Sequence, residues 1–334
     1  MATRIGINGF GRIGRVLTRL AAERADLEVV GVNDIADVTT LANLLEFDST
    51  YGRFSGGVEF DDHALIVAGR RIAVLSERDP AAIDWGALGA DIVVESTGKF
   101  RTREAAAAHL KGGARKVLIS APGKGVDVTV VLGVNSGAYD PLRHDVISNA
   151  SCTTNCVAPM AKVLNDAFGV ERGFMTTIHA YTGDQMLIDG PHKDPRRARS
   201  AAVNIVPTTT GAARATGEVI PALAGKLDGV AVRVPVQDGS LTDLAVVVGT
   251  PVTAQEVNEA FAAAAAAGPL AGLLRYSTDP IVSRDIVGDQ ASCVFDAPLT
   301  QASGTLVKVF GWYDNEWGYT ARLADLAALV GSKL

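Results

Sequence analysis

The most chemically telling pattern in the chain is Ser148-Asn-Ala-Ser-Cys-Thr-Thr-Asn-Cys156. It follows the apolar run Val146-Ser148 and leads into Val157-Ala-Pro-Met160, which predicts a buried strand passing into a helix. Ser151 is then the natural N-cap and Cys152 a first-turn residue. At that place the helix dipole and unpaired amides favour the thiolate, the nucleophilic form of cysteine. Cys156, one turn deeper, reads as an inert small hydrophobe, and Cys293 beside Val294 and Phe295 reads as core. On one helix the Cβ atoms of Cys152 and Cys156 would stand ~5–6 Å apart, beyond the ~3.5–4.5 Å of a disulfide. Pro159 should bend this helix.

A thiolate needs a proton acceptor. His179 ends the run Thr176-Thr-Ile-His-Ala-Tyr181 just before a long aperiodic stretch, which makes it the best placed of five histidines. Residue types alone leave it either a catalytic base or a satisfied structural histidine. His63, His109 and His144, each close to charged residues, read as surface positions. No histidine or cysteine spacing supplies a zinc set, so no metal is expected.

A second motif, Gly9-Phe-Gly-Arg-Ile-Gly14, is G-x-G-x-x-G directly after the strand pattern Arg4-Asn8 and at the head of a helix. Such glycines permit a tight turn and close approach of backbone to a pyrophosphate seated on the helix N-terminus. Asp34 lies twenty residues beyond Gly14 at the end of the next strand pattern, where a carboxylate accepts from a ribose and repels a 2'-phosphate, favouring NAD over NADP. Thr208-Thr-Thr-Gly211, Ser151 and Thr153 offer hydroxyls and amides, and Arg197 and Arg233 offer fixed charge, so phosphates could be held. Each also has a plain reading as a turn, a cap or a solvated arginine.

The elements that must position these groups divide the chain near residue 150. Before it, Arg4-Asn8, Arg12-Glu23, Glu28-Asn33 and Thr39-Leu45 read βαβα, with further strands at Asp91-Glu95, Lys116-Ile119 and Val146-Ser148 and a helix at Thr102-Leu110. After it come longer alternating runs, Gly173-Tyr181, Val230-Pro235, Leu241-Gly249 and Thr305-Tyr313. Thr253-Ala-Gln-Glu256 is a capping box. The expected fold is α/β: a doubly wound (Rossmann) parallel-sheet domain over 1–150, completed by a C-terminal helix at 316–334. An α+β domain with a mixed, largely antiparallel sheet follows over 151–315, including a long loop at 181–201.

With 334 residues, 48% of them hydrophobic and 20% charged, the chain is expected to be globular and two-domained. Its 31 basic and 37 acidic residues give a net charge of -6, which argues against nucleic acid or membrane as the main partner. The apolar stretch at 260–274 is too short and broken to span a bilayer. Three cysteines and no signal-peptide pattern point to the cytoplasm.

Taken together these residues resemble the phosphorylating glyceraldehyde-3-phosphate dehydrogenases. The likeness is carried by Ile5-Gly-Ile-Asn-Gly-Phe-Gly-Arg-Ile-Gly-Arg15, Glu95-Ser-Thr-Gly98, Ser120-Ala-Pro122, Ala150-Ser-Cys-Thr-Thr-Asn-Cys156, Pro191-His-Lys-Asp194, Arg196-Arg-Ala-Arg199 and Trp312-Tyr-Asp-Asn-Glu-Trp-Gly-Tyr319. The resemblance implies that Cys152 is the nucleophile and His179 its base. It implies that Asn8, Gly9, Phe10, Gly11, Arg12, Ile13, Asp34, Arg78, Ser96, Thr97, Gly98, Ser120 and Tyr319 surround NAD, while Asn315 orients the nicotinamide carboxamide. Thr182, Asp184 and Arg233 match positions around the substrate phosphate, and Ser151, Thr153, Arg197, Thr210 and Gly211 those around inorganic phosphate. It further implies a homotetramer, with the 181–201 loop reaching a neighbouring subunit's cofactor. Gly190, where NAD-using members usually carry leucine, and Tyr51, where many carry histidine, depart from the pattern. Erythrose-4-phosphate dehydrogenase is the nearest enzymatic alternative, and a dinucleotide-sensing or RNA-binding regulator the alternative of another class.

Overall fold

The computed structural model describes residues 2–334, which form two compact units. The first comprises residues up to 130, 136–150 and 320–334, and the second 131–135 and 151–319. Among the described residues no helix is long and apolar enough to cross a membrane.

The first unit is built on a nine-stranded sheet. Its strands are β1 (Thr3–Asn8), β2 (Leu27–Asn33), β3 (Val58–Asp61), β4 (Ala64–Val67), β5 (Arg70–Leu75), β6 (Ile92–Glu95), β7 (Lys116–Ile119), β8 (Val128–Thr129) and β9 (Val146–Ser148). They lie in the order β3-β4-β5-β2-β1-β6-β7-β9-β8. Pairings from β5 across to β8 are parallel, and β3 and β4 add an antiparallel edge. Helices α1 (Arg12–Ala22) and α2 (Val38–Glu46) follow β1 and β2. The predicted helix at Thr102-Leu110 is two short ones, α3 (Arg103–Ala106) and α4 (Ala108–Lys111), separated at Ala107. β1 has β2 on one side and β6 on the other, so the connections diverge beside it and open a crevice at the carboxyl ends of these strands. The antiparallel edge is absent from the sequence reading. Its β4–β5 turn has positive φ at both Ala68 and Gly69, the hairpin geometry usually signalled by Asn-Gly and here hidden by alanine.

The second unit begins with α5 (Cys152–Phe168) and continues through β10 (Val170–Ala180), β11 (Val206–Thr209), α6 (Ala212–Val219), β12 (Leu227–Val234) and β13 (Ser240–Val248). Then come α7 (Ala254–Ala266), β14 (Leu274–Ser277), β15 (Cys293–Asp296), β16 (Gln301–Ser303), β17 (Leu306–Tyr313) and α8 (Trp317–Gly331), whose residues from Thr320 on belong to the first unit. The eight strands form one mixed sheet in the order β11-β12-β10-β13-β17-β15-β14, with β16 on β17. β10 runs parallel to β12 and antiparallel to β13. Alternation does the positioning here. Met175, Thr177 and His179 of β10 are buried on one face, and Phe174 is exposed on the other. The buried face packs on α5, with Met175, Cys156 and Met160 in one core. α5 approaches closely because Gly311 of β17 has no side chain: a Cβ there would come within 2.5 Å of Cys293 Sγ and 2.6 Å of Met160 Sδ. α5 continues through Pro159.

In the same core Phe261 of α7 and Phe295 of β15 stack with ring centroids 3.8 Å apart and planes 5° apart, both fully buried. Phe261→Ala should destabilise the chain by about 3–5 kcal/mol in urea unfolding. Thr253→Ala, which removes only the capping box of α7, should cost about 1 kcal/mol. Equal losses would show that the stacked pair collapses without leaving a cavity.

Candidate active site

In the second unit the N-terminus of α5 and the end of β10 meet. Ser151 caps α5, its hydroxyl accepting from Thr154 N at 3.0 Å, and Cys152 is the first helical residue. The residue before the cap, Ala150, has a left-handed backbone with φ of 56°. Cys152 Sγ lies 3.4 Å from His179 Nε2, so the structure brings together the two residues singled out for chemistry.

The tautomer of His179 follows from its surroundings. Nδ1 lies 2.7 Å from the carbonyl oxygen of Ala180, which can only accept, so Nδ1 carries the hydrogen and Nε2 turns its lone pair to the thiol. Arg233 Nη1 donates to the same carbonyl at 3.1 Å and to Thr182 Oγ1 at 3.1 Å. Its approach of 3.1 Å to Nδ1 is then a contact between two donors. Arg233 reaches this place by register: on parallel strands it is the direct partner of His179.

At Cys152 burial acts against the helix end. Burial pushes its thiol up to about 11, against the opposing Arg233 charge and the amides of the first turn. Burial, and then the Arg233 charge, pull His179 down to about 3. Both shifts favour thiol and neutral imidazole, and the lone pair of Nε2 faces the thiol.

Around this pair the anion-holding candidates are already engaged. Arg197 pairs with Asp184 at 2.5 Å and donates to Thr208 Oγ1 at 3.0 Å. Asp184 also accepts from the Thr182 hydroxyl. Burial opposes ionisation of Asp184, but Thr182 and the Arg233 and Arg197 charges hold its carboxyl below the usual range. Thr210 Oγ1 accepts from Ala212 N at 3.2 Å, and Gly211 caps α6 without a side chain. The Thr153 hydroxyl points inward, 2.9 Å from the Tyr313 hydroxyl, so its main-chain N–H is what it offers to an anion. The Ser151 hydroxyl accepts in its cap and lies 2.7 Å from Thr154 Oγ1. Asn315 Oδ1 accepts from Ser240 Oγ at 2.7 Å, and Tyr319 is buried on α8. Residues 181–200 form a loop without regular elements, held by Asp189 to Arg199 and by Asp194 to Thr208.

In the first unit Asn8, Gly9, Gly11, Asp34, Arg78, Ser96 and Thr97 line one cleft of about 280 Å³. Gly9 has φ of 94°, and a Cβ on it would sit 2.6 Å from Thr97 N. Gly11 has nothing within 4 Å of such a Cβ, and no side chain caps α1. Asp34 accepts from Phe10 N at 2.8 Å and Ala36 N at 3.1 Å, leaving further acceptor positions on its two oxygens. An open helix end, a backbone that tolerates close approach and a carboxylate one strand away fit NAD. The side chains of Phe10, Arg12, Ile13 and Ser120 lie outside this lining. Phe10 is buried, Arg12 pairs with Asp48 and lies over the Tyr51 ring, and Ser120 N donates to Glu95 O. Gly98 has φ of 72° in the turn after Thr97.

Two features escaped the sequence reading. Tyr313 sets its ring edge-on to His179, centroids 5.8 Å apart, with its hydroxyl between Thr153 and Thr177. Period-two alternation along 305–313 already placed Tyr313 on the inward face. His109, expected at the surface, is fully buried and bonded to Glu95 and Trp85. Alanines around it make its helix small enough to sit close to the sheet, which composition does not distinguish from a solvated helix. Of the other two, His63 is exposed and His144 half-buried, accepting from Asp140 N.

A dinucleotide cleft on one unit and a half-buried cysteine beside a buried histidine on the other define the class, a cysteine-dependent dehydrogenase. Residues 3–103 match the model described as glyceraldehyde 3-phosphate dehydrogenase, NAD binding domain, and residues 151–315 that of the C-terminal domain. The chain is 61% identical to glyceraldehyde-3-phosphate dehydrogenase 2 of Streptomyces arenae, over 100% of both. It is 58% identical to glyceraldehyde-3-phosphate dehydrogenase of Streptomyces coelicolor, again over 100% of both. Against that of Geobacillus stearothermophilus it is 55% identical, over 100% of this chain and 99% of the relative. The chain belongs to the glyceraldehyde-3-phosphate dehydrogenase family.

Arg233 is the cation opposing the burial of Cys152. Arg233→Leu should shift the pH dependence of Cys152 alkylation upward, slowing labelling at neutral pH roughly tenfold for each pKa unit gained. Iodoacetamide kinetics followed by mass spectrometry read this; an unchanged profile would mean that the guanidinium does not act on Sγ.

Proposed function

We propose that this chain oxidises D-glyceraldehyde 3-phosphate to 1,3-bisphosphoglycerate with NAD and inorganic phosphate. The observation that carries the reading is the 3.4 Å approach of Cys152 Sγ to the lone pair of His179 Nε2, backed by Arg233. As Sγ attacks the aldehyde carbon, its proton passes to Nε2, which hands it to the new alkoxide, so that a hemithioacetal forms on Cys152 and Nε2 is bare again. The amides at the start of α5 stabilise the developing oxyanion, each such donor being worth ~2.7–4 kcal/mol. When bound, NAD accepts the hydride that the hemithioacetal carbon gives up. His179 takes the hemithioacetal hydroxyl proton as the carbonyl forms, leaving a thioester that phosphate cleaves.

Arg233, Thr182 and Asp184 are assigned to the substrate phosphate. The backbone amides of Thr153 and Gly211, with Thr210, Ser151 and Arg197, are assigned to inorganic phosphate. For Arg197 this requires exchanging Asp184 for the anion. The first unit is read as the NAD-binding domain, with Asp34 on the adenosine ribose, and the second as the catalytic domain, with Asn315 on the nicotinamide carboxamide. Family membership supports a cytoplasmic homotetramer, and the exposure of Leu187, Ile188, Val203 and Ile205 in and after the 181–200 loop suits an interface that sedimentation can test.

Cys152→Ser should abolish NADH formation while NAD binding stays near wild type. With wild type, omitting phosphate should stop NADH accumulation and arsenate should restore it, because arsenate attacks the same thioester. Full-rate NADH formation with neither anion would make water the acyl acceptor and remove the phosphate assignments. Asp34→Ala should lower the kcat/KM preference for NAD over NADP by roughly ten- to hundredfold, the range for bonds to a charged acceptor worth about 1.5–3 kcal/mol. An unchanged ratio would place discrimination elsewhere.

A further inference from the structure

Beneath the first unit's cleft runs a buried chain of polar side chains that the reaction does not use. The indole Nε1 of Trp85 lies 3.1 Å from Nδ1 of His109. An indole N–H can only donate, so Nδ1 is the bare ring nitrogen and Nε2 carries the hydrogen. Nε2 therefore donates to Glu95 Oε2 at 3.0 Å. The same oxygen accepts from Asn8 Nδ2 at 2.6 Å, while Oε1 accepts from Thr97 N at 2.9 Å and from the Thr97 hydroxyl. Four donors thus meet the acceptor positions of one carboxylate with no exposure to solvent. With its nitrogen committed to Glu95, Asn8 must present Oδ1 onward, and it accepts there from Asn33 Nδ2 at 2.7 Å. Asn33 closes the chain on the backbone of Glu77, its Oδ1 accepting from Glu77 N at 2.7 Å and its Nδ2 donating to Glu77 O at 2.9 Å.

We propose that Trp85 and His109 are positioning residues for the dinucleotide cleft, acting through Glu95 to set the direction of each hydrogen bond along its floor. Neither residue lines the cleft, whereas Asn8, Asn33, Glu77 and Thr97 do. The chain joins the carboxyl ends of β1, β2 and β6 to the segment after β5, and it anchors Thr97 N, the atom against which Gly9 is packed. One indole N–H thereby fixes a histidine tautomer, the tautomer fixes the carboxylate, and the carboxylate fixes two amides. An unbound cleft held this way meets its dinucleotide without paying to order its walls.

This inference rests on the first unit binding NAD, and its test is arranged to fail separately from that reading. Glu95→Gln replaces one acceptor oxygen by a donor at nearly constant volume. It should raise the Kd for NAD, measured by calorimetry on the full chain, tenfold or more. Amide exchange at Gly9-Phe10 and Ser96-Thr97 should rise, with peptides of the second unit unchanged. Adding Trp85→Phe should recover part of the lost affinity, because His109 is then free to move its hydrogen to Nδ1 and accept from the new amide. Wild-type affinity in folded Glu95→Gln, or a double variant no better than the single, would overturn the proposal. If Glu95→Gln does not fold, Trp85→Phe alone decides: it should weaken NAD binding several-fold and leave the Cys152 alkylation rate unchanged. An unaltered Kd there would overturn the lock. A wild-type chain that binds no NAD would instead overturn the cofactor reading.

Discussion

The carbonyl oxygen of Ala180 accepts from both His179 Nδ1 and Arg233 Nη1, and the direction of chemistry at Cys152 depends on that double acceptance. A carbonyl cannot donate, and its 2.7 Å contact is shorter than the 3.1 Å approach of Arg233 Nη1 to the same nitrogen, so Nδ1 keeps the hydrogen and the His179 lone pair faces the thiol. The same oxygen holds the guanidinium beside the ring, where its charge lowers the pKa of the histidine and of the cysteine together. Burial of the pair works in the opposite sense on the thiol. Two neutral groups are what a dry site stores most readily, since an isolated charge would carry a large desolvation penalty. The charges of a reacting pair arise only when the proton has somewhere to go.

Much of this was legible in the sequence, for identifiable reasons. Ser151 as cap, Cys152 as first-turn residue and the glycine turn before α1 are local arrangements, governed by backbone groups a few residues apart. Strands β7 and β9 match their apolar runs because parallel strands buried on both faces leave few polar residues to blur the ends. Residue types leave His179, a strand-end histidine, two readings, and the family resemblance makes it the base. What could not be read was nonlocal. His109 has charged neighbours in sequence, yet its partners Trp85 and Glu95 are 24 and 14 positions away. β3 is largely surface, and β4, though mostly buried, is only four residues long, so neither carries much periodic signal.

The reactivity expected at the head of α5 shows the limit of local reasoning most clearly. A helix terminus contributes a stabilisation of roughly 0.3–1 kcal/mol at exposed sites, up to ~2 kcal/mol when partly buried. Desolvation of a thiol packed against the core acts on the same equilibrium in the opposite sense. The sequence names the donor groups. Only the fold states how much solvent has been removed.

Arg233 stands abreast of His179 because β10 and β12 run parallel in a single register from Gly173↔Leu227 to Ala180↔Val234. Side chains alternate faces along a strand, so the parity of the count within this ladder is information that the active site uses. An insertion or deletion of one residue inside either strand would turn the cation or the imidazole to the wrong side. One in the segment between them would leave both facing as before. Variation in length should therefore be confined to the connecting segment over evolutionary time, with the two strands copied residue for residue.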